Sequence, residues 1–166
     1  MLLVGLAVLN GCGTAAEAGP EPTASPTAPE TAVQAVLPEE EALDAYNGMW
    51  DTVVEGSHEG TVGHPGLSRY ATGQALELTT GMLNGRTATG EPARSAEVVE
   101  AFLEEEPPRV LIEDCLDDSG WAVEGAEPGS PGGSGSRLVE ATVTEDELLG
   151  WRVEELWLED YGSCRH

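Results

Sequence analysis

Few side chains in this sequence could do chemistry, and their spacing excludes more than it supports. His58-Glu59 begins like the helical pair of a zinc protease, but the residue four places after His58 is Val62, so a second imidazole on the same helical face is missing. His58 and His64 fall in a Gly- and Pro-rich loop after the first predicted helix, with no Cys or grouped carboxylates to complete a metal set. Both read as solvated loop histidines. The acidic runs Glu104–Glu106, Asp117-Asp118 and Glu145–Glu147 lack the alternating Asp and central Gly of a calcium loop, and read as solvated surface. Gly133-Ser134-Gly135 lies in the low-complexity stretch "EPGSPGGSGS", which cannot hold a nucleophile rigid and has no Lys for a phosphate. No catalytic residue, metal or cofactor is expected from these groups.

Asp114 stands apart. On a strand, Val110, Ile112 and Asp114 share one face, with Leu111, Glu113 and Cys115 on the other. If Ile112 points inward, so does Asp114, and apolar walls would raise its pKa toward general-base work. Tyr46, Trp50, Tyr70 and Trp121 complete the candidate pocket. The reading preferred on sequence grounds is plainer: Asp114 sits at the wet end of its strand and caps the following turn, because catalysis needs several convergent groups. Trp50, Trp151 and Trp157 are expected to pack the core.

The elements that must position these residues are legible in outline. Pro38 suits a first helical turn, and Glu39, Glu40 and Glu41 set negative charge against the positive end of the helix dipole. Leu43, Tyr46, Trp50 and Val53 then draw one apolar stripe, with Gly56 as the expected stop. A second helix is predicted after Thr72, carrying Leu76, Thr79, Met82 and Leu83 inward and ending at Asn84-Gly85. Beyond Gly85, "SAEVVEAFLEE", "PRVLIEDCLDD", "SRLVEATVTE" and "LGWRVEELWLEDYGSC" read as strands. Helices first and an antiparallel sheet afterwards define an α+β domain over residues 38–166.

Composition sets the surroundings. The chain has 166 residues, 40% of them apolar, with 31 acidic against 7 basic residues and a formal net charge of −24. Every basic residue counted there is Arg. Such a chain repels phosphate backbones, so a nucleic-acid role is excluded. Leu2 to Leu9 is an apolar run far short of the ~20 residues that span a bilayer. It ends in Leu9-Asn10-Gly11-Cys12, which resembles a bacterial lipobox and implies lipidation of Cys12 with residues 1–12 as signal and lipobox. The lack of a basic residue ahead of the run points to a start codon upstream of Met1. Residues 13–37, rich in Pro, Thr, Ala and Glu, cannot bury enough apolar area to order and read as a tether. Membrane anchoring on the extracytoplasmic face is the expected location. There, Cys115 and Cys164 remain as an even pair and are expected to form a disulfide.

"AYNGMW", "SRYATGQAL", "EDC" and the terminal "GSC" together resemble the small secreted lipoproteins of actinobacteria, over roughly residues 39–164. That group is placed in the nuclear transport factor 2-like superfamily, a curved antiparallel sheet wrapped around helices as a cone. The resemblance implies a cone interior that serves isomerases and dehydratases in some members and noncatalytic binding in others. The expected function is noncatalytic binding of a small molecule or protein partner, with an isomerase- or dehydratase-like enzyme as the alternative.

Overall fold

A computed structural model describes residues 35–125 and 135–164. Cys12, the lipobox, the tether through Gln34 and most of the low-complexity loop lie outside the described residues. The described chain is α+β. Three helices come first: α1 (Pro38–Glu59), α2 (Leu67–Tyr70) and α3 (Gly73–Met82). Six strands follow: β1 (Ala88–Thr89), β2 (Glu97–Phe102), β3 (Arg109–Asp117), β4 (Ala122–Val123), β5 (Ser136–Asp146) and β6 (Gly150–Leu158). The main sheet is an antiparallel β2-β3-β5-β6 meander, and β1 pairs with β4 apart from it.

Helix α1 starts where the sequence places it. The Glu40 carboxylate accepts the backbone N–H of Leu37 at 3.3 Å, satisfying one of the donors free at a helix start. Ala42, Ala45, Tyr46, Met49, Trp50 and Val53 recur at steps of three and one, and all are buried. Each large side chain in that row stabilises the domain by roughly 1.5–3 kcal/mol through removal from water. The helix does not stop at Gly56. It runs to Glu59 and ends at Gly60, whose φ of 62° is the left-handed turn that glycine adopts freely. Gly56 answers to packing instead: a Cβ there would meet Leu83 Cδ1 at 2.7 Å. His58 therefore belongs to the last turn of α1, not to the loop beyond it.

The expected inward row after Thr72 is correct for Thr79 and Leu83, while Leu76 and Met82 are only partly buried and Ala75 is buried in their place. The α2–α3 junction closes one sheet edge. Thr72 N–H donates to Val153 O at 2.8 Å, and the Gln74 amide both accepts from Leu156 N–H (2.7 Å) and donates to Leu156 O (3.0 Å). An open edge strand invites pairing with other chains, and these contacts cover that of β6.

Strand β3 alternates without a break: Val110, Ile112, Asp114 and Leu116 are buried. Strand β6 does not. Val143 pairs with Val153 but Thr142 pairs with Glu155, so Glu154 is an extra residue. This bulge shifts the phase, turning Leu156 inward and Trp157 outward. Trp157 is 56% exposed, and its expected place in the core is corrected; Trp50 and Trp151 do occupy it. Cys115 and Cys164 form a disulfide with Cα atoms 5.6 Å apart. Beside it, the buried Asp118 carboxylate pairs with Arg137 at 2.7 Å and accepts the Tyr161 hydroxyl at 2.6 Å.

Candidate functional site

The alternation of β3 carries Asp114 to the inner face, where it is 0% exposed. Its preferred assignment, a turn cap at the wet end of the strand, is therefore corrected. Oδ2 accepts the hydroxyl of Tyr46, from 68 residues earlier on α1, at 2.9 Å. Oδ1 accepts the backbone N–H of Ser95 at 2.6 Å. Ser95 is held in place because Ala93 exchanges two 2.8 Å backbone bonds with Asp117. Arg94 spans the same gap, donating to Asn47 O (3.0 Å) and to the Asp51 carboxylate (2.6 Å).

Burial pushes the Asp114 carboxyl above its ordinary range, against the downward pull of the Ser95 N–H, the Tyr46 hydroxyl and the Arg94 charge. Burial, then the Asp114 charge and hydrogen bond, raise the Tyr46 hydroxyl well above its usual value near 10. Trp50 packs in the same core, and its indole N–H has no hydrogen-bond partner among the described residues. A raised carboxyl beside a phenol is the pairing an acid–base site uses. Here both groups are spent on each other and on Ser95.

None of the four clefts described next is lined by Tyr46, Trp50 or Asp114. The candidate pocket residues are thus split. Tyr70 lines an open groove of about 600 Å³ along α1, with Asp44, Glu145, Leu149 and Trp151. Trp121, its indole N–H donating to Ser57 Oγ at 3.1 Å, lines a cleft of about 380 Å³ between α3 and β4. Leu78, Met82 and Val123 give that cleft its apolar walls, and Glu77 and Arg86 also line it. A shallow recess of about 240 Å³ lies on the outer sheet face around Leu111, Glu140 and Trp157. Another, of about 410 Å³, lies beside His58 and Glu91.

His58 and His64 are tied to backbone. His58 Nε2 lies 2.7 Å from Gly90 O, and His64 Nδ1 accepts the Gly66 N–H at 3.1 Å. Among the described residues no group of three or more His, Cys, Asp or Glu is arranged to hold a metal. No described helix is long and apolar enough to cross a membrane.

The sequence reading missed Leu78, Met82 and Val123 as a wall, since Trp121 reaches them only through the β1–β4 pairing, and two-residue strands leave no periodic signal. It also missed Leu148 and Leu149, although two leucines between "DE" and Gly-Trp, in what must be a turn, were a visible irregularity. No protein-family model, no curated protein and no solved structure matches the chain.

Proposed function

We propose that this chain is a noncatalytic binding domain, anchored through Cys12 to the outer face of a cell membrane, that takes a small apolar molecule into the cleft between α3 and β4. The observation that supports it most is the contrast between two sites. The α3–β4 cleft is open, walled by Leu78, Met82, Trp121 and Val123, and sized for a small ligand. The groups best suited to acid–base chemistry, Tyr46 and Asp114, are sealed at 0% exposure. The order of helices followed by an antiparallel sheet is compatible with a nuclear transport factor 2-like cone, the fold that the lipoprotein resemblance implies. The alternative, an isomerase- or dehydratase-like enzyme, draws on the raised Asp114 carboxyl and requires an opening that brings substrate to it.

Gly81 lines the α3–β4 cleft, and a Cβ built on it meets nothing within 4 Å. Gly81→Leu should fill the cleft while favouring helix by about 1 kcal/mol. Titrated with Nile red, an uncharged apolar reporter, the wild type should show saturable fluorescence that this variant loses. Absence of saturable binding, or binding unchanged in the variant, refutes the cleft assignment. For the anchor, Cys12→Ser should move the protein from the membrane to the soluble fraction of an exporting bacterial host, since stable attachment rests on the acyl chains. Retention of the variant in the membrane refutes it.

A further inference from the structure

We propose that the tip of the β5–β6 hairpin and the groove along α1 together form a docking surface for a partner protein, through a segment carrying both Lys or Arg and apolar side chains. Leu148 is 91% exposed and Leu149 63%. They are adjacent, and they are held rather than loose. The Asp146 carboxylate accepts both of their backbone N–H groups, at 2.9 and 3.0 Å, and is itself paired with Arg152 at 3.1 Å. Gly150, at φ 75°, turns the chain back into β6. Two exposed leucines on a fixed backbone gain nothing for the fold, whereas a backbone already held lowers the ordering cost of binding.

The groove beside them sets the chemistry of the partner. Leu149, Tyr70 and Trp151 supply apolar lining, and Glu41, Asp44 and Glu145 supply carboxylates that outnumber Arg69, the cation of the lining, which lies over the Tyr70 ring. None of those three carboxylates is ion-paired among the described residues. A positively charged segment meets both the local charge and the −24 of the whole chain.

Other occupants fit less well. A second copy would bring the same carboxylates and the same net charge against this surface. Residues 1–34 and 126–134 contain no Lys, Arg or His. Arg165 and His166 follow Cys164, which is bonded to Cys115 opposite Leu138, at the far end of β5 from Asp146. The strand between Leu138 and Asp146 spans about 27 Å at roughly 3.4 Å per residue, and two residues reach only ~7 Å.

The test uses the full chain and a short fluorescent peptide of leucine and lysine, read by anisotropy at physiological salt. The control peptides replace leucine by serine, or lysine by glutamate. The leucine–lysine peptide should bind the wild type and Gly81→Leu equally. Binding should weaken roughly tenfold or more to Leu148→Ser/Leu149→Ser and to Glu41→Gln/Asp44→Asn. Unchanged far-ultraviolet circular dichroism and melting should show that these exposed substitutions leave the fold intact. Equal affinity for all variants, no binding of the leucine–lysine peptide, or equally tight binding of either control peptide overturns the proposal. So does a wild-type dimer in solution that Leu148→Ser/Leu149→Ser converts to monomer, because that result assigns the tip to a second copy.

Discussion

Removing the Cys115–Cys164 bridge is the sharpest test of how this fold is held. The two cysteines are 49 residues apart in sequence, and the loop between them contains β4, β5 and β6. In the chain-entropy description, opening a loop of that length returns about 14 cal/mol/K to the unfolded chain, or about 4 kcal/mol at 25 °C. That is a large part of the 5–15 kcal/mol typical of a native domain. The folded side loses less. The last turn is also held by Glu159 N–H to Leu138 O (2.9 Å), Gly162 N–H to Ser136 O (2.7 Å), Leu138 N–H to Ser163 Oγ (2.8 Å) and the Asp118–Arg137–Tyr161 network. Cys115→Ala/Cys164→Ala should therefore stay folded but unfold at much lower guanidinium concentration, followed by fluorescence of the buried tryptophans. Its dependence on denaturant should be steeper, because the unlinked unfolded chain exposes more surface. Wild type under a reducing agent should match the double variant. A loss of less than about 1 kcal/mol, with unchanged slope, would refute the claim that the bridge acts mainly on the unfolded chain.

Tyr46→Phe should cost about 2–3 kcal/mol in denaturant unfolding, since it leaves Asp114 Oδ2 buried without its donor. A loss below about 0.5 kcal/mol would mean that the pair is not maintained in solution. The folded Asp114 carboxyl is raised, so the native state holds its proton longer than the unfolded chain does, and stability is lost as pH climbs from about 3.9 through the folded value. Asp114→Asn should remove that component, so wild-type stability should fall more steeply than the variant's between acid and neutral pH; parallel curves would contradict the raised carboxyl. Gly90→Ala should cost about 1–3 kcal/mol or more, because Gly90 sits at φ 73° and a Cβ there would lie 2.0 Å from Gly120 O; an unchanged melting temperature would count against this packing of the β1–β4 end.

What could be read from the sequence is what local periodicity carries. The stripe of Tyr46, Trp50 and Val53 and the alternation of β3 are set by residues a few places apart, and both are found in the structure. Leu43, expected in the same stripe, is only partly buried, and Ala42, Ala45 and Met49 fill the row instead. The misreadings have one physical source, a partner distant in sequence. Gly56 looks like a helix stop until Leu83 arrives against it. Trp157 looks like core until the pairing of β6 with β5 leaves Glu154 as an extra residue and shifts the phase of the strand. Asp114 looks like a turn cap because an ion on an inner face is costly, and the groups that offset the cost, Tyr46 and Ser95, lie 68 and 19 residues away. The same reasoning bears on function. Periodicity marks what the fold must bury, and in this chain it led to Asp114, whose hydrogen bonds serve the core. The exposed surfaces around Trp121 and at Leu148-Leu149 depend on a two-residue strand set against α3 and on a turn, where no periodic rule brings the parts together. In a turn, two adjacent exposed leucines that continue into the groove beside them form a patch, and no packing within the described domain explains Leu148.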